Sequence, residues 1–143
     1  MKWLRMTVLS VLCVGLSGQV SADQDQSGSA ICGGYLEPDR LFGDKTNVYD
    51  RSGHRVGELR EDPLFENRTN IYDKNGRQKG YLEQDRLFKG QTNIYNRSGE
   101  KRGDMKKDWL LKDRLNVYDR KGHNTGFLKD AILNKNRRDI HCD

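Results

Sequence analysis

The sequence predicts an all-β domain of five β-hairpin repeats closed into a ring, and three observations carry that prediction. Glycines at positions 34, 57, 80, 103 and 126 recur at a constant step of 23 residues, with no insertion or deletion and with the surrounding sequence repeating in register. A fixed period of this size marks an array of one supersecondary unit. Within each copy, two alternating stretches flank a short glycine-bearing turn. The last copy stops halfway, and the missing half stands at the start of the repeat region.

The chain begins with Lys2 and Arg5 around a mostly apolar run, Met6 to Val14, followed by a polar stretch ending Val20-Ser21-Ala22. This pattern predicts a secretory signal over residues 1–22. Ser10, Ser17, Gly18 and Gln19 interrupt the run, which is too broken for the roughly 20 apolar residues of a membrane span. Cys13 follows Leu12, where a lipoprotein signal has a small residue, so Cys13 is expected to leave with the signal. Residues 23–30, DQDQSGSA, are polar and aperiodic and read as a disordered leader. Residues 31–143 form the predicted hairpin domain.

Removing Lys2 and Arg5 lowers the formal charge from +5 to +3, because the first 22 residues hold no acid. Charges of both signs are interleaved along the rest. That describes a solvated surface rather than a nucleic-acid footprint, and with export it argues against nucleic acid as a partner. The predicted location is periplasmic or secreted.

Each hairpin shows as a strand, a turn and a second strand: TNVYDRSGHRVGEL, TNIYDKNGRQKGYL, TNIYNRSGEKRGDM and LNVYDRKGHNTGFL. Asn75-Gly76, Ser52-Gly53, Ser98-Gly99 and Lys121-Gly122 suit a two-residue turn. Such a turn in the second hairpin would place Asp73 opposite Gln78, Tyr72 opposite Lys79, Ile71 opposite Gly80 and Thr69 opposite Leu82.

Alternation then sorts two faces. The predicted core face holds Val48, Ile71, Ile94, Val117 and Ile140 with Leu36, Leu59, Leu82, Met105 and Leu128. The recurrent glycine sits opposite the β-branched residue, where a side chain would crowd it. The other face carries Asn47 with Tyr49, Asn70 with Tyr72, Asn93 with Tyr95, and Asn116 with Tyr118. Between hairpins, Leu41-Phe42, Leu64-Phe65, Leu87-Phe88 and Leu110-Leu111 read as apolar plugs, each preceded by an aspartate, while Pro38 and Pro63 fall where no ladder bond is needed.

The fifth copy ends at Asp139-Ile140-His141-Cys142-Asp143, a first strand without turn or return. Ile31-Cys32-Gly33-Gly34-Tyr35-Leu36 has the second-strand pattern with nothing ahead of it. Pairing them completes a fifth hairpin and removes an open edge. Cys142 takes the place of Asp73 and Cys32 that of Gln78, positions that face each other one pair beyond the turn. A disulfide between Cys32 and Cys142 is therefore predicted to replace the missing turn. In the chain-entropy model, closing a loop of about 100 residues contributes roughly 4 to 5 kcal/mol.

Repeats of the form Asn93-Ile94-Tyr95-Asn96 with Ser98-Gly99, joined to Gly80-Tyr81-Leu82, resemble the bacterial β-flower families, in which short hairpins stand like petals around an axis. Five copies resemble the five-fold type, in a flower or small propeller-like arrangement. The resemblance covers Cys32 to Asp143 and implies a fold and an envelope location, with no activity attached. MORN repeats share the length and the hairpin, but their Tyr-Glu-Gly-x-Trp pattern is absent.

Asp50-Arg-Ser-Gly and its equivalents at Asp73 and Asp119 place basic residues where a calcium loop needs oxygen ligands, so they read as turns. His54, His123 and His141 show no metal-ligand spacing. No Ser, His and Asp set stands apart from its repeat equivalents, and neither an enzyme nor a cofactor is predicted. The repeated Asn and Tyr pair an amide with a ring, which suits a sugar or a peptide backbone, or equally packing between petals. Trp109 breaks the repeat beside Lys106, Lys107, Lys112 and Arg114, as a partner contact or as a core plug. The functional expectation is a monomeric, non-catalytic binding domain of the cell envelope that contacts a protein partner. Binding to peptidoglycan or another cell-wall glycan through the Asn/Tyr face, and inhibition of a hydrolase, are the alternatives.

Overall fold

In a computed structural model, residues 32–131 and 136–143 are described, and the predicted signal, the leader and Ile31 lie outside them. Ten strands follow in order: β1 Tyr35–Pro38, β2 Lys45–Tyr49, β3 Arg55–Glu61, β4 Arg68–Asp73, β5 Gln78–Gln84, β6 Gln91–Asn96, β7 Lys101–Lys107, β8 Arg114–Asp119, β9 Asn124–Asp130 and β10 Arg138–Cys142. Each pairs antiparallel with its sequence neighbours, and β1 pairs β10, so the sheet closes into a barrel. Tyr35 opposite Asp139 and Leu36 opposite Arg138 form that closing seam. Closure leaves no open edge.

The barrel is filled as the alternation predicts. Val48, Ile71, Ile94, Val117 and Ile140 are buried together with Leu36, Leu59, Met105 and Leu128, and Leu82 packs partly buried against them. Each residue of the second set lies directly across a seam from one of the first, as Leu59 does from Ile71 and Leu82 from Ile94. Burying such a side chain contributes about 1.5 to 3 kcal/mol.

The hairpin tips differ from the two-residue expectation. Ile71 pairs Gly80 and Thr69 pairs Leu82 as derived, but Tyr72 pairs Gln78 rather than Lys79, across a bulge between Ile71 and Tyr72. The three other complete hairpins repeat the shift. Its cause is the turn. Gly76 N–H donates to Asp73 C=O at 3.0 Å and Asp73 N–H donates to Arg77 C=O, also at 3.0 Å, enclosing a three-residue loop whose last residue, Gly76, has φ +77°. The Asp73 carboxylate holds this form by accepting the amides of Asn75 and Arg77 at 2.8 and 2.9 Å. A two-residue turn of the expected kind needs positive φ at Asn75 as well, and among the described residues only glycines have it.

One added residue at the tip requires one extra on the return strand to restore register outward. Those extra residues are Val56, Lys79, Arg102 and Thr125. Val56 is turned inward by its bulge and joins the core, which simple alternation does not foresee.

Cys32 and Cys142 form the predicted disulfide, with 5.6 Å between their Cα atoms. Their pairing geometry is corrected by the same bulge: Gly33 N–H donates to Ile140 C=O while Ile140 N–H donates to Gly34 C=O, both at 2.9 Å. The repeat positions of the two cysteines, those of Asp73 and Gln78, are thus offset by one step rather than directly opposed.

The recurrent glycines are explained by a different neighbour from the one expected. They do lie opposite β-branched residues. A Cβ on Gly57, Gly80 or Gly126 would however stand 2.6, 2.2 or 2.2 Å from the backbone oxygen of Tyr72, Tyr95 or His141, on the next hairpin. Hairpins approach so closely because neighbours share a continuous ladder, β3 with β4 and β5 with β6. No gap remains between them for a plug.

Candidate functional site

Up-and-down connectivity gives the barrel two unlike ends. The tight turns and the disulfide lie at one end, and the connections β1–β2, β3–β4, β5–β6 and β7–β8 lie at the other, with β9–β10 completing the set. The residues read as plugs are at this second end and they face solvent. Leu41, Leu64 and Leu87 are 86, 84 and 85 % exposed, and Phe42, Phe65, Phe88, Leu110 and Leu111 are exposed as well. Trp109 is 86 % exposed and is no core plug. With the barrel interior filled and its seams hydrogen-bonded, these side chains have no interior to enter.

Their display is built by a clamp repeated four times. Asp39 Oδ1 accepts the amides of Leu41 and Phe42 at 2.9 and 3.2 Å, and Oδ2 accepts Asn47 Nδ2 at 3.0 Å. Asp62 does the same with Leu64, Phe65 and Asn70. Asp85 holds Leu87, Phe88 and Asn93, and Asp108 holds Leu110, Leu111 and Asn116. The chain closes behind each clamp, as where Asp39 N–H donates to Lys45 C=O at 2.8 Å and Lys45 N–H to Phe42 C=O at 3.1 Å.

These bonds favour the ionised carboxylate. Asp39 and Asp85 sit below the usual aspartate value of 3.8 chiefly through the asparagine amide, Asp62 through the Leu64 amide and Asp108 through that of Leu111. The spacing of eight residues between aspartate and asparagine, constant through four copies, was the available signal for this clamp.

The four asparagines singled out from sequence are therefore engaged on the protein's own loops. The tyrosines on the barrel wall pack across the seams between hairpins. Tyr35 stacks on Tyr49 at 4.8 Å between ring centroids, Tyr81 on Tyr95 at 4.9 Å, and Phe127 on His141 at 4.5 Å. At the two intervening seams Glu58 faces Tyr72 and Asp104 faces Tyr118, with Arg60 lying over the Tyr72 ring and Lys106 over that of Tyr118. Aromatic and acidic seams so alternate around most of the barrel.

Sequence reasoning passed over Glu58. It is 1 % exposed and paired with Lys45 at 2.8 Å and with Arg55 and Arg60. Burial pushes its carboxyl up, but the bonds from Lys45 and Arg60 and the charge of Arg55 outweigh this and hold it below its usual value. Its neighbours Lys45 and Arg60, with Phe42 and Asp44, line a shallow depression at the loop end.

His54 and His123 flank turns, beside Asp50 at 3.5 Å and Asp119 at 3.2 Å. Among the described residues no group of three or more His, Cys, Asp or Glu is placed to hold a metal ion.

No curated protein matches the chain. An X-ray structure of a protein from Arabidopsis thaliana is similar with a TM-score of 0.47 at 12 % identity, over 80 % of this chain and 82 % of that one. The family model described as 4-fold beta flower protein matches residues 46–141, from within β2 to within β10, and the chain belongs to that family.

Proposed function

We propose that this chain is a five-hairpin form of the β-flower architecture, acting as a non-catalytic binding domain of the bacterial cell envelope that meets its target with the loop end of the barrel. Four complete hairpins fall almost entirely within the family match, and the pairing of β10 with β1 supports a fifth. The observation that carries the binding reading is the display of Leu and Phe, with Trp109, on loops clamped by aspartate. Large exposed apolar side chains gathered at one end of a fold mark contact with a partner. A fold that spends a carboxylate and an asparagine per loop on holding such side chains outward is presenting them.

The Asn/Tyr wall is the weaker candidate, because its amides bond to the clamp aspartates and most of its rings pack across seams. Photo-crosslinking in living cells tests the assignment, with the probe at Leu87 on the loop end, at Tyr95 on the wall and at Asn75 on the turn end. A discrete protein, lipid or glycan adduct from Leu87 alone is the expected result. Adducts only from Tyr95 or Asn75, or from none of the three, would overturn it.

A further inference from the structure

We infer that the loop end meets a second copy of this chain across a two-fold axis, an inference that rests on the loop-end binding reading above. Among the described residues, the large apolar side chains that stand exposed all belong to the four clamped connections, and they are 50 to 86 % exposed. Four of them, Phe42, Phe65, Phe88 and Trp109, are aromatic and offer about 500 Å² of exposed surface at roughly 200 Å² per ring. With the leucines beside them, this end can bury the roughly 800 Å² per partner of a stable interface.

Charge selects the partner. The connections DRLFGDK (39–45), DPLFENR (62–68), DRLFKGQ (85–91) and DWLLKDR (108–114) carry formal charges of 0, −1, +1 and 0, so the four together are neutral. The second displays Glu66 and the third Arg86 and Lys89, all exposed and, among the described residues, without an ion partner. Up-and-down closure sets the connections around a ring in chain order. A two-fold axis perpendicular to the barrel reverses that order on the facing copy, because two like rings meeting face to face run in opposite senses. An axis through the seam of β9 with β10 then lays the second connection of each copy on the third of the other. Glu66 of one copy meets Arg86 and Lys89 of the other, and the symmetry makes that contact twice. An axis through the second or the third connection would instead set like charge on like.

The same axis brings the first connection of each copy to the fourth of the other. Both are neutral and both display the two signs, Arg40 with Asp44 and Lys112 with Asp113. Their bulk also compensates. Trp109 is 86 % exposed on the fourth, while Gly43 on the first has nothing within 4 Å of its Cβ position. A closed pair of this kind covers both apolar ends and leaves no face for further growth.

The test is sedimentation velocity over a dilution series, on the protein purified from cells in its natively processed form. The expected result is a dimer that dissociates on dilution. Glu66→Lys and Lys89→Glu should each weaken it about tenfold, since each reverses two symmetry-related contacts. An equimolar mixture of these two variants should recover association to within about threefold of the unchanged protein, because in the mixed pair every acidic connection again faces a basic one. Leu64→Ser with Leu87→Ser should also weaken the dimer, and all variants should keep an unchanged circular dichroism spectrum, since these side chains are exposed. In cells, the Leu87 probe should give an adduct of two copies of this chain.

A monomer at every concentration, with Leu87 crosslinking to a different molecule, would refute the second copy and leave the loop-end assignment standing. A monomer without any Leu87 adduct would remove both. A dimer indifferent to the leucine substitutions would place the contact on another face, and failure of the mixture to recover would overturn the two-fold pairing.

Discussion

Replacing Gly80 by alanine isolates the reason for the 23-residue glycine repeat. Gly80 is not among the positive-φ glycines, so alanine is conformationally admissible there. The objection is one atom: the new Cβ would stand 2.2 Å from Tyr95 O and 3.3 Å from Asn96 Cα, both backbone of β6. Ordinary contact begins near 3.4 Å, so the seam between β5 and β6 has to open by about 1.2 Å. Ladder bonds near 2.9 Å do not survive that displacement. Losing two of them, with their groups left poorly paired in a buried seam, costs about 3 to 4 kcal/mol. Reduced freedom of the unfolded chain returns about 0.4 to 1 kcal/mol.

The net expectation is a loss of about 3 kcal/mol, or roughly 12 to 24 °C in melting temperature for a domain of this size. Urea and thermal unfolding followed by circular dichroism, with the disulfide intact, measure it. Two control substitutions separate the causes. Gly43 has nothing within 4 Å of its Cβ position and no positive φ, so Gly43→Ala should be neutral or slightly stabilising. Gly76 is equally open but has φ +77°, so Gly76→Ala should cost only about 1 to 2 kcal/mol. A Gly80→Ala protein within about 1 kcal/mol of the Gly43→Ala protein would refute the close-approach account.

Replacing Cys32 and Cys142 together by serine should cost about 4 to 5 kcal/mol, since the bond closes a separation of 110 residues, and hydrogen exchange should show β1 and β10 losing protection first. Little change in urea stability would mean that the strands close without the bond. Glu58→Gln leaves Lys45, Arg55 and Arg60 clustered without a counter-charge. The expected loss is about 2 kcal/mol, less than the roughly 3 to 5 of a fully buried pair because Arg55 and Arg60 are half exposed; a melt identical to wild type would show the cations redistributing into water. Asn93→Ala should raise exchange of the Leu87 and Phe88 amides while leaving that of Ile94 protected, and unchanged exchange would show that Asp85 holds the loop alone. The clamp aspartates are depressed in the folded state, so their stabilisation is full above the ordinary value of 3.8 and is lost as pH falls through their lower folded values. Melting temperature should therefore hold from neutrality to about pH 5 and fall below about pH 4, and Asp62→Asn with Asp85→Asn should shrink that fall.

Period-two alternation made most of the barrel legible in the sequence. A core residue and its strand partners repeat at fixed offsets, so Ile71, Ile94 and Leu128 could be assigned to one face without coordinates, and the half copies at the two ends could be matched through Cys32 and Cys142. The turn type was hidden because Asn-Gly serves both the two-residue turn and the three-residue loop. What decides between them is the Asp73 carboxylate reaching the amides of Asn75 and Arg77. That single choice moves every tip residue by one and carries Val56 inward. The loop end was misread for another reason. Burial was inferred from hydrophobicity alone, yet apolar residues are common on protein surfaces and the rule runs only one way.

The fifth connection separates the clamp from the closure of the loop. Where four copies have aspartate and, eight residues on, asparagine, the last has Ala131 and Asp139. Both partners have changed, and Asp139 instead accepts from Arg137 at 2.8 Å. A clamp whose only role was to close the loop would be wanted here too, since the backbone closure persists: Ala131 N–H donates to Arg137 C=O at 2.9 Å, as in the other four. The fifth copy has its apolar pair one position earlier, Ile132-Leu133, with Asn134 where the others have Phe or Leu. Carboxylate and amide are thus present together in four connections and absent together in the fifth. Loop closure does not require the aspartate. What the aspartate adds in the other four is its hold on the two amides of the apolar pair.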